Sequence, residues 1–203
     1  MIGIKKDNKM SSRESILNAV RTNKPELLPL PEINLDLFEE DIHLVETFVK
    51  NVQLVGGRAQ VLDSITDLDK EIKRFYPNAK QIVTGVKESS LGTISFSKDS
   101  LPHSLDTIDL AILKGELGVA ENGAVWISDN DFKVRVLPFI TNDLVLVVSK
   151  ETICLHLHDA YQLLSNRERT YGLFLSGPSK TADIEQCLVI GAQGAMSLTV
   201  FIV

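Results

Sequence analysis

The length, composition and charge of the chain exclude several classes of protein. Its 203 residues suit one domain, and 44% hydrophobic with 24% charged residues is typical of a globular chain. The net charge is −6 and no basic run exceeds Lys5-Lys6, so the sequence indicates no nucleic-acid partner. Two cysteines, Cys154 and Cys187, cannot supply the four ligands of an iron–sulfur cluster. We predict no cofactor.

Neither terminal segment resembles a membrane anchor. Met1–Met10 contains lysines but no apolar stretch of signal-peptide type, and the apolar run Ser197–Val203 is too short to cross a bilayer. We therefore expect no membrane span and a cytoplasmic location.

The first 34 residues are predicted to form an arm. Ser11 and Glu14 make a capping-box pattern ahead of a helix that runs to about Thr22. Three prolines, at positions 25, 29 and 31, then favour an extended linker. We predict an arm over residues 1–34 and a domain over 35–203. The arm is expected to pack on that domain or on a neighbouring copy, which leaves a homo-oligomer open.

The first half of the domain is predicted to alternate strands and helices. Apolar residues at helical spacing, followed by Gly56-Gly57, predict a helix over Leu37–Val55. A strand over 58–62, a helix around Leu68–Phe75 and a strand over 81–84 then form a β-α-β unit.

The second half adds a hairpin to further strands and a helix. The Asn122-Gly123 pair is typical of a type I′ turn, in which both residues have positive φ, and predicts a hairpin near 117–128. The remaining predicted elements are strands 109–113, 144–148, 172–175 and 198–203 and a helix from about Leu157 to Leu164. This order predicts an α/β fold: a mostly parallel sheet with helices on both faces and an antiparallel hairpin insertion.

One polar loop follows the apolar strand 172–175. In α/β sheets ligands gather outside the carboxyl ends of strands, where backbone N–H groups can bind an anion. The loop lacks the second glycine of a Walker A motif. The alternative is that its hydroxyl and acidic residues cap a following helix. Its candidate ligand-binding residues are Ser176, Gly177, Ser179, Lys180, Thr181, Asp183 and Glu185.

Three ordered segments resemble the lactate-utilisation (LUD) domain family. They are S-G-P-S-K-T-A-D-I-E at 176–185 with the following 188–191 stretch, G-V-A-E-N-G-A at 118–124, and R-V-L-P at 135–138. The resemblance spans roughly residues 35–203 and implies a fold like that of the NagB/RpiA/CoA-transferase superfamily. The short chain and the N-terminal arm resemble the C-type members. These accompany an iron–sulfur subunit and a flavin- or cysteine-rich redox subunit in the oxidation of lactate to pyruvate.

The resemblance also singles out Glu121 as a catalytic candidate. This sequence has Asn122 where the family motif has threonine, and A-E-N-G is similar to the E-N-G motif of acyl-CoA transferases, whose glutamate carries CoA as a thioester. A positioned, desolvated carboxylate can act as such a nucleophile. The glycine-rich oxyanion loop of those enzymes is missing. The alternative is that Glu121 is a solvent-exposed hairpin residue without a catalytic role.

Two histidines, His156 and His158, form an H-x-H pattern. On a strand both would face one side, but beside a helix that includes Leu157 their side chains diverge. We therefore predict no metal site.

Two functions from different classes follow. The first is an accessory subunit of lactate oxidation that works with iron–sulfur and redox partner subunits and carries no electron cofactor itself. The alternative is a small-molecule enzyme or binding module that uses Glu121 and the 176–185 loop on a CoA, phosphate or organic-acid ligand.

Overall fold

The computed structural model describes residues 11–29, 31, 34, 37, 42–168, 171–182 and 188–203. The chain divides into two compact units, Met1–Asp41 and Ile42–Val203. The domain boundary at 34/35 stays a prediction, because residues on both sides of it lie outside the described part.

In the first unit, helix α1 (Ser12–Thr22) begins after an N-cap serine. The Ser11 hydroxyl accepts a hydrogen bond from the Glu14 N–H at 3.3 Å, and the Glu14 carboxylate accepts one from the Ser11 N–H at 2.9 Å. The predicted capping box is therefore present, and both of these N–H groups have acceptors.

The second unit alternates strands with helices. Its helices are α2 (Leu44–Leu54), α3 (Leu68–Phe75), α4 (Asp129–Phe132), α5 (Leu137–Ile140) and α6 (Leu157–Leu164). Its strands are β1 (Arg58–Val61), β2 (Ile82–Thr84), β3 (Leu110–Lys114), β4 (Leu117–Val119), β5 (Ala124–Ser128), β6 (Asp143–Val148), β7 (Ile153–Cys154), β8 (Gly172–Leu175), β9 (Lys180–Ala182), β10 (Leu188–Ile190) and β11 (Ser197–Ile202). Among the described residues, no helix has the length and apolarity needed to cross a membrane.

The central sheet has five parallel strands in the order β1-β11-β6-β3-β2. The continuous apolar runs of β3, β6 and β11 are buried because both faces are covered. Phe48 and Val52 of α2 belong to the core on one face, and Leu68 and Ile72 of α3 belong to the core on the other. The predicted α/β class, with a mostly parallel sheet and flanking helices, is confirmed.

The predicted β-α-β unit differs from the structure in one respect. Strands β1 and β2 lie at opposite edges of the sheet, so the connection that contains α3 runs from one edge strand to the other. β11, from the far end of the chain, lies between β1 and β6, and these two neighbours pair the backbone N–H and C=O groups on both of its sides.

A second sheet has the order β7-β4-β5-β8. β5 is antiparallel to both β4 and β8, so the predicted hairpin is present. Its turn is not type I′. The connection spans residues 120–123, and Gly123 has a positive φ of 65° whereas Asn122 does not. The Asn122 Oδ1 instead accepts a hydrogen bond from the Ala124 N–H at 3.0 Å, which is an Asx turn.

Helix α2 is shorter than the predicted Leu37–Val55. It begins at Leu44, after His43 with extended backbone angles, and the predicted residues 38–41 lie outside the described part. The glycine stop is present, since Gly56 has a φ of 85°.

Candidate functional site

A cavity of about 740 Å³ lies at the carboxyl edge of the central sheet. Its wall includes Gly85 just after β2, Lys114 at the end of β3, and Val203 just after β11. Ligands of α/β proteins collect at this edge, where strand ends and the following loops meet. We call this space the carboxyl-edge cavity.

Charged residues of both signs line the carboxyl-edge cavity. One ion pair joins Arg167 Nη1 to Glu116 Oε2 at 2.8 Å. The second carboxylate oxygen, Glu116 Oε1, is buried and has no hydrogen-bond partner in the part of the chain that the structure describes. A buried acceptor without a donor is costly, so this oxygen is a natural contact for a proton or a ligand. The charged lining residues are Lys87, Glu88, Lys114, Glu116, Asp131 and Arg167.

Asp131 and Glu116 form a carboxyl pair in the wall of this cavity. Burial, the negative charge of Glu116 and a side-chain hydrogen bond to Glu116 raise the pKa of Asp131 to about 6, although Lys114 opposes the shift. Asp131 therefore takes up a proton as the pH falls through about 6, much closer to neutral pH than an ordinary aspartate does. This is the property required of a general acid or base.

Local backbone geometry brings the two carboxyl groups together. Asp131 lies on α4, which begins at Ser128, whose hydroxyl accepts a hydrogen bond from the Asn130 N–H. Glu116 follows Gly115 in the short link from the central sheet to the second sheet. A Cβ atom at Gly115 would lie 2.5 Å from Val125 Cγ1, so a larger residue would have to displace the Val125 side chain.

One part of this cavity could have been predicted from the sequence, at the end of the apolar strand 109–113. Lys114-Gly115-Glu116 directly follows the apolar strand 109–113, which is where a parallel sheet places its functional residues. Asp131 and Arg167 have no comparable signal, because tertiary structure alone brings them to this edge.

Glu121 lies elsewhere, in the connection between β4 and β5, where it contacts the start of α6. Its Oε1 accepts a hydrogen bond from the Leu157 N–H at 2.9 Å, and its Oε2 lies 2.8 Å from His156 Nδ1. Partial burial acts to raise the pKa of Glu121. The hydrogen bonds from His156 and Leu157 and the nearby histidine charges outweigh it, so the pKa is lowered. The ionised carboxylate thus stabilises the helix N-terminus. Its role as a nucleophile stays a prediction.

His156 is the N-cap of α6, and His158 lies within its first turn. Within the described ranges, no three or more histidine, cysteine, aspartate or glutamate side chains are grouped in a way that could hold a metal ion.

The polar loop after β8 is not at the carboxyl edge of the central sheet, contrary to the prediction. β8 pairs antiparallel with β5 in the second sheet. The loop instead lines a cavity of about 330 Å³ together with Leu144 and Leu198, near the amino ends of β6 and β11. The prediction failed because an apolar strand does not reveal which sheet it joins.

Several donors of this loop already contact protein acceptors. The Ser176 hydroxyl donates to the Asn122 carbonyl at 2.7 Å, the Ser179 N–H donates to the Ala195 carbonyl at 2.9 Å, and Lys180 Nζ donates to the Val55 carbonyl at the end of α2. Lys180 and Thr181 belong to β9, so the helix that the capping alternative requires does not begin before Ala182. Asp183 and Glu185 lie outside the described residues. The anion site stays a prediction.

The profile of the LUD domain family matches residues 91–203, which is more than half of the chain. The chain belongs to the LUD domain family. The matched region of this LUD domain contains Glu116, Glu121, Asp131 and Arg167, and starts after Gly85 and Lys87.

Curated relatives of this LUD domain protein match part of its length. Lactate utilization protein C 1 of Bacillus mycoides is 32% identical over 101 residues, covering 47% of this chain and 43% of the relative. Lactate utilization protein C of Anoxybacillus flavithermus is 28% identical over 102 residues, covering 50% and 46%. The matched region therefore spans less than half the length of these two relatives.

A solved structure shares the fold of this LUD domain protein. A DUF162 family protein from Deinococcus radiodurans superposes with a TM-score of 0.61 at 14% sequence identity, covering 78% of this chain and 95% of that one. The LUD resemblance in the sequence motifs and the α/β fold it implied are confirmed.

Proposed function

We propose that this LUD domain protein is a component of lactate utilisation that acts with iron–sulfur and redox partner subunits in oxidising lactate to pyruvate. The main support for this proposal is the similarity of the chain to a relative named lactate utilization protein C 1, with 32% identity over the matched region. Its two cysteines are fewer than the four ligands of an iron–sulfur cluster, so we assign electron transfer to the partners.

Growth on lactate tests this proposal. We expect deletion of the gene, in a host without another lactate-oxidising enzyme, to abolish growth on L-lactate and leave growth on glucose unchanged. The full chain supplied from a plasmid should restore growth. Undiminished growth of the deletion strain on L-lactate would overturn the proposal.

Affinity purification tests the partner assignment separately. The tagged full chain, isolated from lactate-grown cells, should bring down an iron–sulfur protein, and glucose-grown cells serve as the control. If the tagged chain restores growth on lactate but no redox protein co-purifies with it, the assignment of redox partners is wrong.

A second proposal, that the chain itself binds a small molecule, is supported by the carboxyl-edge cavity. Its volume of about 740 Å³ falls in the usual range of ligand sites, and polar groups converge on it from several segments. Glu121 and the 176–181 loop do not line this cavity.

A further inference from the structure

We propose that the carboxyl-edge cavity binds the anion of a small organic acid, with Lys114 as the cation for its carboxylate and the Asp131–Glu116 carboxyl pair as the partner of its 2-hydroxyl or 2-oxo group. The inference rests on the proposed function only for the choice of acid. The remaining steps follow from the residues that line the cavity.

The balance of charge favours an anion when the carboxyl pair holds a proton. Three cationic residues and three acidic residues line the cavity, so one retained proton leaves an excess of positive charge. The cations are Lys87 in the segment after β2, Lys114 at the end of β3 and Arg167 after α6, and the third carboxyl group is that of Glu88. A monovalent anion is attracted to this arrangement and a cation is not.

Lys114 is the cation best placed for the ligand's carboxylate. Arg167 is already joined to Glu116 by an ion pair of 2.8 Å and so orients the carboxyl pair. Lys114 lies exposed at the end of β3, close enough to Asp131 for its charge to act on that group. A carboxylate held by Lys114 would thus place its neighbouring carbon beside the carboxyl pair.

The carboxyl pair suits an oxygen substituent on that carbon. With one proton it offers both a donor and an acceptor, so it can bond either a hydroxyl or a carbonyl oxygen. Glu116 Oε1 is buried and receives no hydrogen bond from an N–H or hydroxyl group of the described residues, so besides the proton shared with Asp131 a ligand hydroxyl can serve as its donor.

The remaining wall suits the carbon part of the ligand. Ile65, Val86, Val147 and Val203 provide apolar contacts. The volume of about 740 Å³ exceeds what a three-carbon acid fills, so longer 2-hydroxy acids are included in the class.

Binding should be coupled to proton uptake. A bound anion disfavours ionisation of the carboxyl pair, so the complex holds a proton that the empty protein releases above about pH 6. The affinity for the acid should therefore fall as the pH rises. No covalent or redox step is involved.

Isothermal titration of the full chain with L-lactate, pyruvate, malate and inorganic phosphate tests the inference. At about pH 5.5 at least one of the three acids should bind more tightly than phosphate, and about tenfold more tightly than at about pH 8. Proton uptake is read from titrations in two buffers of different ionisation enthalpy. If none of the acids binds, or if phosphate binds as tightly, the inference is overturned.

Three variants locate the site. Lys114→Gln should weaken binding by about tenfold or more, whereas Lys50→Gln, on the exposed side of α2 and outside the cavity, should bind as the natural chain does. Asp131→Asn should remove the pH dependence of binding and the proton uptake. Binding by Lys114→Gln at natural strength, or unchanged proton uptake by Asp131→Asn, would contradict the assignment.

The outcome is separable from that of the proposed function. Restored lactate growth by a chain that binds none of these acids would overturn this inference and leave the proposed function standing. Acid binding by a protein whose deletion leaves lactate growth unimpaired would do the reverse.

Discussion

Asp131 carries a cost for the folded protein at neutral pH. Its pKa is raised to about 6 by burial and by Glu116, so the folded state holds a proton that the unfolded chain has already released above the ordinary value of 3.8. Stability therefore falls as pH rises from about 4 to about 6, and stays lower above that window.

Removing the charge of Asp131 should stabilise the fold. We expect Asp131→Asn to unfold with a free energy about 1–2 kcal/mol higher than the natural chain at about pH 8, a figure reduced for the partial exposure of the group. At about pH 4 the gain should vanish, because the natural side chain is then protonated. Urea unfolding at both pH values measures this, and an equal gain at both would contradict the raised pKa.

Glu121 has the opposite effect on stability. Partial burial opposes ionisation, but contacts from His156 and the Leu157 N–H lower the pKa of its carboxyl group below the ordinary value. Its contribution is therefore present above the unfolded pKa of about 4.3 and is lost as pH falls through the folded value.

Replacing that carboxylate should loosen the start of α6. We expect Glu121→Gln to lower the free energy of unfolding by about 0.5–2 kcal/mol at neutral pH, and by less below about pH 4. Glu151→Gln, at an exposed position, is the control. A variant with full stability but no activity in an acyl-CoA transfer assay would instead support Glu121 as the nucleophile.

At the level of elements, the connection between β4 and β5 packs closely on α2. A Cβ atom at Gly123 would lie 2.5 Å from the Val52 backbone nitrogen, and the glycine has a φ of 65°. Gly56 has a φ of 85° but its nearest neighbour would be 3.5 Å away, at Lys180 Nζ. A side chain at either position would strain the backbone, but only a side chain at Gly123 would also clash with α2.

Alanine at the two positions separates these effects. Gly56→Ala should lose about 1 kcal/mol from strain, and Gly123→Ala should lose at least about 3 kcal/mol, because the backbone of α2 must also move. Thermal unfolding measures both. Equal losses would show that the connection does not press on α2.

The polar loop can be tested through Lys180, which donates to the carbonyl of Val55 at the end of α2. Lys180→Met should lower the free energy of unfolding by about 0.3–1 kcal/mol.

If the loop also binds an anion, inorganic phosphate should raise the melting temperature of the natural chain and have no effect on the variant. A variant as stable as the natural chain would contradict the helix-end role, and no phosphate effect on the natural chain would contradict the anion site.

The positions of helices and strands could be predicted from the sequence where they depend on local patterns of apolar and capping residues. The apolar run 144–148 and the Ser11–Glu14 capping box gave β6 and α1 almost as they stand. Strand partners were not predictable in this way, because β8 has the composition of a central strand and yet joins the second sheet. The turn at Gly123 depends on contact with α2, which Asn-Gly statistics do not include.

At the level of the whole molecule, the carboxyl-edge cavity could be predicted from the sequence only in part, for a related reason. Lys114 and Glu116 come from one segment, but Asp131 and Arg167 come from two others, and no spacing in the sequence links the three segments. Motifs that are contiguous in the chain, such as that around Glu121, identified the family but point to a helix-capping contact in the structure. Family membership and site location are thus separate problems here.

The cysteines of the chain are too few for a four-cysteine iron–sulfur site, and Cys154 is a weak acid. Metal and cluster ligation needs a deprotonated thiol, and burial together with the charge of Asp159 raises the pKa of Cys154 to about 11. Cys187, outside the described residues, is the other cysteine of the chain, so a four-cysteine site is excluded by count. We expect the full chain, purified anaerobically from lactate-grown cells and freed of partners by a salt wash, to lack visible absorption and stoichiometric iron or flavin. The partner fraction from the same wash is the control and should contain iron, with or without flavin, if our assignment of electron transfer is right. Iron or flavin that stays with the chain through the wash would contradict that division of labour, and loss of bound iron in Cys154→Ser would identify the ligand responsible.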